Sequence, residues 1–515
     1  MKRTIILTIV IVLSLLISYG FFYHTRSEEI QGNLSKWAST IIQIVFILTI
    51  ISVIYAVIRE NNNPIATIAW IQVLVFLPIA GFILYLIFGL NPRKTKIFAQ
   101  KALHDQEKFT KFSSKFKIKD LQNQSGFSRK YYNKINHLIK LLYQNNKSHL
   151  TAFNEIKVFK NGKTKIDALL NDIENAKNHI HLEYFSIADD QTGQLLRKTL
   201  IKKANMGIKI RIIYDAVGSW RLGKKYYKPL IDAGIELAPF LPVKLPWLSS
   251  KINYRNHRKI AVIDGKTAYI GGVNIGDKYY GLTEYYGYWR DTHIRIKGDA
   301  VKSLQKIFTL DWLFTKKQDI NDKELFPETN INNLLPTQVI SSGPDSNWES
   351  IMQAHFAAIS KAEKYVYIAT PYLVLTESLL TALKTTALSS VEIKIILPSF
   401  PDHRIVFYGS RSYYEELLEA GVKIYEYTKG FMHSKVILVD GNFVSIGTAN
   451  MDIRSYKQNL EVNTVIYDCN FTNLIKTQFT EDFFQSKEIN LSEFKKRKIY
   501  FKSVESFCRL FSPLL

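Results

Sequence analysis

HRKIAVID at residues 257–264 and HSKVILVD at residues 433–440 are the two stretches that decide the fold of this chain. In both, a lysine follows the histidine by two positions and an aspartate follows it by seven. The four aliphatic residues before each aspartate predict a strand that is buried on both faces. A histidine and a lysine two positions apart on such a strand point to the same side of the sheet. The sequence thus predicts one chemical motif in two copies.

The similarity of the two copies extends beyond these motifs. A glycine and an asparagine follow each histidine by 14 and 17 positions: Gly271 and Asn274 in the first copy, Gly447 and Asn450 in the second. Three further pairs of segments agree in order and spacing: 175–187 with 361–373, 207–215 with 391–399, and 230–240 with 417–427. Such repetition predicts an α/β fold of two tandem units.

We place the first repeat at residues 155–315, a linker with several Asn, Asp and Pro at 316–339, and the second repeat at 340–490. Apolar runs and helical periodicity predict the local elements of the first repeat. The strands are Ile180–Ile187, Ile208–Asp215 and Ile260–Ile263, and the helices are Thr164–Asn178 and Lys225–Ala233.

Composition excludes several classes of protein. With 47% hydrophobic and 22% charged residues, the chain is not disordered as a whole. It contains only two cysteines, so neither a disulfide scaffold nor a cysteine-based zinc site is expected. At 515 residues it is longer than one hydrophobic core usually supports, in agreement with a duplicated unit.

Three apolar stretches in residues 1–92, at about 4–23, 37–58 and 65–90, each reach the roughly 20 residues needed to cross a bilayer. We predict an anchor of two to three transmembrane helices, and the first stretch could instead be a signal-like segment. The core helices of a soluble protein are the alternative for all three.

A basic segment, residues 93–154, follows the predicted anchor. Residues 93–147 contain 14 Lys and Arg against 3 acidic residues, within a net charge of +23 for the whole chain. Positive charge beside a membrane favours the cytoplasmic side and attracts anionic lipid. We therefore expect a multi-pass protein of a bacterial cell membrane with a cytoplasmic catalytic domain, although a solvated linker remains an alternative reading of the segment. Residues 491–515 form a basic amphipathic tail, either on the membrane or docked on the repeats.

The two motifs together suit phosphodiester chemistry. Two imidazoles at the interface of the repeats allow one to attack phosphorus while the other gives a proton to the leaving alkoxide. Two lysines and two asparagines can hold the non-bridging oxygens. The candidate phosphate-binding residues are Lys259, Asn274, Lys435 and Asn450. Because the lysines supply the positive charge, no metal or other cofactor is expected.

The paired H-x-K-x4-D motifs resemble those of the phospholipase D superfamily. Within it, the stretches NPIATIAWIQVLVFLPIAGFILYLIFGLN, YWRDTHIRIKG and GTANMDIRSYKQNLEVN resemble bacterial cardiolipin synthases. The apolar segment at 4–23 departs from the two-helix anchor of that family. The resemblance implies two phospholipase D-like repeats that share one active site. It also implies transfer of a phosphatidyl group between two phosphatidylglycerol molecules through a phosphatidyl-histidine, giving cardiolipin and glycerol.

Carried over by position, the catalytic motifs comprise His257, Lys259 and Asp264 in the first repeat, and His433, Lys435 and Asp440 in the second. Either histidine could be the nucleophile, and the resemblance favours His257. Period-two counting puts both motif aspartates on the opposite strand face, so we expect them to brace the fold. Asp291 and Glu461, on the strands that follow, are better candidates for orienting the imidazoles, with ordinary ion pairs as the alternative.

Other functions are open at this stage. Phospholipase D hydrolysis and phosphatidylserine synthesis differ only in the acceptor hydroxyl. A nuclease would suit the positive charge, but the predicted anchor argues against nucleic acid as the partner. A non-catalytic membrane scaffold is disfavoured by two intact motifs. We predict membrane phospholipids, phosphatidylglycerol first, and an anionic membrane surface as the partners.

Overall fold

The computed structural model describes residues 64–77, 129–243, 250–320 and 322–514, with single positions between 40 and 101. The chain divides into two compact units, residues 1–91 with 245–250 and residues 92–244 with 251–515.

The first unit contributes helix α1 (Pro64–Phe76). This helix covers the first half of the predicted span at 65–90. The predicted spans at 4–23 and 37–58 lie outside the described residues, apart from single positions in the second. Among the helices that the structure describes, none combines the length and the apolar character needed to cross a membrane.

The second unit holds both repeats. Its strands are β1 (Leu150–Asn161), β2 (His179–Tyr184), β3 (Lys209–Asp215), β4 (Glu236–Phe240), β5 (Lys259–Ile263), β6 (Thr267–Gly271), β7 (Tyr288–Gly298), β8 (Leu334–Ser342), β9 (Tyr365–Ala369), β10 (Leu373–Val374), β11 (Glu392–Pro398), β12 (Lys423–Tyr427), β13 (Gly430–Met432), β14 (Val436–Val439), β15 (Phe443–Gly447), β16 (Met451–Asp452), β17 (Glu461–Ile466) and β18 (Ser486–Glu488). Its helices are α2 (Arg129–Asn146), α3 (Gly162–Glu174), α4 (Gln191–Asn205), α5 (Lys224–Asp232), α6 (Asp277–Tyr280), α7 (Ala300–Lys316), α8 (Ser350–Ser360), α9 (Glu377–Leu388), α10 (Arg404–Arg411), α11 (Tyr414–Glu419), α12 (Ile453–Lys457), α13 (Cys469–Phe484), α14 (Leu491–Lys495) and α15 (Ile499–Arg509).

One large sheet runs through both repeats, and its two halves have the same strand order. Outward from the centre, the first half runs β1-β7-β6-β5-β2-β3-β4 and the second runs β8-β17-β15-β14-β9-β11-β12, with β18 at its edge. Antiparallel pairing of β1 with β8, where Leu150 lies opposite Gln338, joins the halves. Matching order confirms an α/β fold of two tandem repeats.

The motif strands β5 and β14 occupy equivalent places in the two halves. Every residue of both strands is buried. Ile260 and Val262 of β5 belong to the same cluster of buried apolar side chains as Val436 and Leu438 of β14. A core shared between the repeats therefore fixes the two motifs relative to each other.

The described elements differ from the predicted boundaries at several places. Strand β1 begins before residue 155, and β8 begins inside the predicted linker at 316–339. Helix α2, from the basic segment at 93–154, buries Ile139 and Leu142 in the core of the second repeat. That helix is therefore a structural part of the repeat unit as well as a carrier of positive charge.

The basic tail at 491–515 folds as α14 and α15. Arg497 contacts Glu415 at 2.8 Å, and Arg509 contacts Glu416 at 2.7 Å, so the tail is docked on α11. The outer face of α15 leaves Ile499 79% exposed and Phe507 61% exposed. Docking and an exposed apolar face occur on the same helix.

Candidate active site

Each motif histidine lies just before its strand and is held by the backbone of the other repeat. The His257 amide donates to the carbonyl oxygen of Leu460 at 3.0 Å, and the His433 amide donates to that of Arg290 at 2.7 Å. Strand β13, which leads into His433, pairs in parallel with the start of β7. In both cases the residue that accepts the bond directly precedes a buried acid.

These acids contact the imidazoles in a crossed arrangement. His257 Nδ1 lies 2.9 Å from Glu461 Oε1, and His433 Nδ1 lies 2.7 Å from Asp291 Oδ2. The two carboxylates are fully buried, whereas the His257 and His433 side chains remain 13% and 10% exposed. Asp291 and Glu461 thus reach the predicted kind of partner, but each reaches the histidine of the other repeat. A carboxylate at Nδ1 favours the tautomer in which Nε2 carries the lone pair.

The motif lysines repeat the same symmetry. Lys259 Nζ donates to the carbonyl oxygen of His257, and Lys435 Nζ donates to that of His433, both at 2.7 Å. Burial lowers the pKa of Lys259 well below its ordinary value and that of Lys435 to about 8. Burial, followed by the charges of both lysines, also lowers the pKa of each imidazole well below its ordinary value. Burial thus favours neutral imidazoles, and the negative charge of an anionic substrate would favour the charged form of the two lysines.

Burial acts in the opposite direction on the two acids. It raises the pKa of Asp291 to about 6 and that of Glu461 to about 7. Glu461 also accepts bonds from Thr448 Oγ1 and from Asn459 Nδ2, the latter at 3.3 Å. These two bonds favour the carboxylate of Glu461 and partly offset the effect of burial. With pKa values of about 6 and 7, both acids change protonation close to neutral pH.

The two asparagines are buried beside the motifs and already bonded within the protein. Asn274 Oδ1 accepts from the Ser186 amide at 3.1 Å, and its Nδ2 donates to the Tyr279 hydroxyl at 3.1 Å. Asn450 Nδ2 donates to Asp452 at 3.0 Å. Each asparagine lies three residues after a glycine, Asn274 after Gly271 and Asn450 after Gly447.

The two motif aspartates accept hydrogen bonds from backbone amides, the contacts expected of residues that brace the fold. Asp264 accepts bonds from three backbone amides that precede or begin β2, those of Lys177, Asn178 and His179, at 2.7–3.0 Å. Asp440 accepts the equivalent three amides at the start of β9, from Glu363 to Tyr365. Both follow the far ends of β5 and β14, away from the imidazoles. Each aspartate thus ties the end of its motif strand to the start of the neighbouring strand.

Two aromatic rings that were not predicted from the sequence contact the imidazoles. The Phe185 ring centroid lies 5.0 Å from that of His257, and the Trp289 centroid lies 4.9 Å from that of His433. Tyr279 packs against Trp289 at 4.9 Å. The position of Trp289, two residues before Asp291, was the available signal, because alternate residues of a strand face the same side.

Comparisons with known proteins agree with the duplicated site. A family model described as "Cardiolipin synthase, PLD-like domain" matches residues 169–312 and 356–483. A second, described as "Phospholipase_D-nuclease N-terminal", matches residues 44–89.

Curated relatives match along almost the whole chain. A cardiolipin synthase from Geobacillus sp. (strain WCH70) is 43% identical and covers 98% of this chain and 99% of its own length. The major cardiolipin synthase of Bacillus subtilis (strain 168) is 39% identical and covers 93% of this chain and 99% of its own.

Among solved structures, a phosphatidylserine synthase from Haemophilus influenzae Rd KW20 aligns with a TM-score of 0.56 at 15% identity. The alignment covers 74% of this chain and 97% of that protein. At this identity the likeness concerns the fold.

Proposed function

The chain belongs to the cardiolipin synthase family of the phospholipase D superfamily, and from this premise we propose that it joins two phosphatidylglycerol molecules into cardiolipin and releases glycerol. The observation that carries the proposal is the crossed pair of imidazoles, each with a buried carboxylate at Nδ1. Because each Nδ1 is bonded to a carboxylate, each imidazole keeps its Nε2 for the phosphodiester, as a two-step transfer requires.

In the first step, His257 Nε2 attacks the phosphorus of one phosphatidylglycerol. The bond from phosphorus to the glycerol oxygen breaks, and His433 gives its Nε2 proton to that oxygen. Lys259 and Lys435 stabilise the charge that builds on the non-bridging oxygens, with Asn274 and Asn450 as the neutral partners. The products are a phosphatidyl-histidine and free glycerol.

His433 must be protonated for this role, although burial holds its pKa well below the ordinary value. An incoming phosphodiester carries a negative charge that offsets the two lysines, whose charges also hold this pKa down. Substrate binding therefore raises the pKa of His433 and supplies the acid that the step consumes.

In the second step, neutral His433 removes the proton from a glycerol hydroxyl of a second phosphatidylglycerol. The resulting oxygen attacks phosphorus, the bond to His257 Nε2 breaks, and cardiolipin forms. Glu461 positions His257 and Asp291 positions His433 by accepting from Nδ1–H. Each histidine is positioned by an acid from the other repeat, so the reaction requires both repeats.

Substitution of the histidines tests the two-step mechanism. We expect His257→Ala and His433→Ala each to lower cardiolipin formation from labelled phosphatidylglycerol by about 10² to 10⁴ or more. The measurement is product identification by mass. The matched control is His149→Ala, at a histidine outside the motifs that makes an edge-to-face contact with Tyr143. Wild-type protein should also carry a phosphatidyl group on the peptide that contains His257.

Several outcomes contradict the proposal. Retention of more than about a tenth of the wild-type rate by either variant would rule out a two-histidine mechanism, given the size of the effect expected from one general acid. Phosphatidic acid as the main product would identify water as the acceptor and the chain as a hydrolase. A label on the His433 peptide would reverse the two histidine roles.

We also propose that the chain is a multi-pass protein of the cell membrane with its repeats on the cytoplasmic side. The apolar runs in residues 1–92 and the basic segment that follows support this, and α1 leaves Ile68 and Phe76 57% and 80% exposed. A reporter fused after Leu515 should report the cytoplasm. A signal from the opposite side would show that Lys2 and Arg3 set the orientation.

A further inference from the structure

Two cations occupy equivalent positions in the repeats, outside the motifs already described. Lys278 follows His257 by 21 positions, and Arg454 follows His433 by 21 positions. Each also lies four residues after the motif asparagine, in the short helices α6 and α12. The duplicated fold therefore brings a basic side chain to the same place twice.

Lys278 lies on the His433 side of the site. Its Nζ is 4.8 Å from the centroid of the Tyr279 ring and 5.9 Å from those of Tyr286 and Trp289. Trp289 in turn packs on the His433 imidazole at 4.9 Å. A single aromatic ring thus separates the ammonium group from the imidazole.

Lys278 is a partly buried cation surrounded by aromatic rings, in contrast to two buried cations near the core that pair with carboxylates. Lys101 pairs with Asp311 and Asp345, and Arg290 pairs with Asp482. Among the described residues, no carboxylate lies within ion-pair distance of Lys278. Burial lowers its pKa, but Tyr279, Tyr286 and the Asp402 charge raise it above the ordinary value. A cation held by aromatic faces retains its charge for an anionic ligand.

The proposed reaction handles two phosphates, and the motif residues account for only one of them. The reacting phosphodiester takes Lys259 and Lys435. The acceptor lipid carries a second phosphate, separated from its attacking hydroxyl by the glycerol carbons. Since His433 deprotonates that hydroxyl, the second phosphate must lie on the His433 side of the pocket.

We propose that Lys278 binds the non-reacting phosphate of the acceptor phosphatidylglycerol and so selects an anionic lipid over glycerol or water as the acceptor. This inference rests on the proposed function and extends it to acceptor specificity. Arg454 is the pseudo-equivalent group on the His257 side, where it donates to the Asn253 carbonyl oxygen at 3.1 Å. The two cations therefore have distinct roles, and acceptor selection belongs to Lys278.

Two reactions of the same protein separate this role from catalysis. Cardiolipin formation needs both phosphates, whereas exchange of labelled glycerol into phosphatidylglycerol needs only the reacting one. We expect Lys278→Met to lower cardiolipin formation about tenfold more than glycerol exchange, the size expected for one lost charge-assisted contact. Lys278→Arg should keep most of the wild-type ratio of cardiolipin formation to glycerol exchange. Lys225→Met, at an exposed lysine of α5, is the matched control and should leave this ratio unchanged.

Failure of the Lys278 subsite and failure of the proposed function give different results in these two assays. Equal loss of both reactions in Lys278→Met, or an unchanged ratio, would overturn the subsite. A selective loss in Arg454→Met instead of Lys278→Met would also overturn it, since the acceptor phosphate would then lie on the His257 side. Wild-type protein that neither forms cardiolipin nor exchanges glycerol would contradict the proposed function.

Discussion

The protonation states of individual residues set the pH range in which this site is active. Glu461 must be ionised to accept from His257 Nδ1–H, and burial raises its pKa to about 7. Lys435 must be charged to hold the phosphate, and burial lowers its pKa to about 8. Activity is therefore lost as pH falls through about 7, where Glu461 gains a proton, and lost again above about 8, where Lys435 loses one.

We expect a bell-shaped profile of kcat/KM with its maximum between about pH 7 and 8, because this parameter reports the free enzyme. Glu461→Gln should lower the rate by about 10² or more, as loss of an orienting carboxylate does. It should also move the acid limb toward about 6, the pKa of Asp291. Glu481→Gln, at an exposed ion pair with Lys160, is the matched control. An acid limb that stays near 7 in Glu461→Gln would remove Glu461 from this role.

Sequence alone could identify the reactive residues but not their pairing. The spacing of His257, Lys259 and their counterparts in the second repeat is readable because strand geometry is local. Which acid reaches which imidazole depends on how β13 and the segment before Glu461 cross to the other repeat. That contact is set by register between distant strands, and no local period encodes it.

At the scale of elements, the turn after each motif hairpin brings a glycine against the next strand. A Cβ on Gly272 would lie 2.3 Å from Asp291 Oδ1, and one on Gly447 would lie 2.2 Å from Asn463 Oδ1. Neither close approach tolerates a side chain. Asp291, which orients His433, can therefore occupy its position only because residue 272 is a glycine.

Gly272→Ala should therefore displace the Asp291 carboxylate and lower cardiolipin formation by up to about 10²-fold, the cost of misplacing a catalytic partner by about 1 Å. Gly223→Ala is the control, because a Cβ there meets nothing within 4 Å. Rates should be compared at equal folded fraction, measured by circular dichroism. An active Gly272→Ala would mean that Asp291 does not depend on this turn.

Element boundaries were predicted best where a buried apolar run defines them. The predicted strand at Ile260–Ile263 is one residue shorter than β5, and the strand at Ile208–Asp215 is one residue longer than β3. The predicted helix at Thr164–Asn178 overran α3, which ends at Glu174. The cause is tertiary: Asp264 takes the amides of Lys177 and Asn178, and this bracing ends the helix.

At the scale of the whole molecule, the two repeats are tied together beside the site by a buried ion pair. Arg290, just before Asp291 in the first repeat, donates to both oxygens of Asp482 in α13 of the second, at 2.8 and 2.6 Å. Its Nη1 also donates to Ser434 Oγ at 3.2 Å, next to His433. Self-comparison predicted two repeats with a shared site, but this link has no counterpart in the motif pattern and was not foreseeable.

Arg290→Leu should destabilise the protein by about 3–5 kcal/mol, because it leaves the Asp482 carboxylate buried and unpaired. The double variant Arg290→Leu/Asp482→Leu should recover part of that stability, since an apolar pair replaces the ions. Urea unfolding of the purified protein measures both, and Lys228→Leu, which breaks an exposed ion pair with Asp232, should cost less than about 1 kcal/mol. Cardiolipin formation should stay impaired in the double variant, because the contact beside His433 remains lost. If Arg290→Leu were as mild as Lys228→Leu, the alignment of the two histidines would have to come from the sheet and the shared apolar core alone.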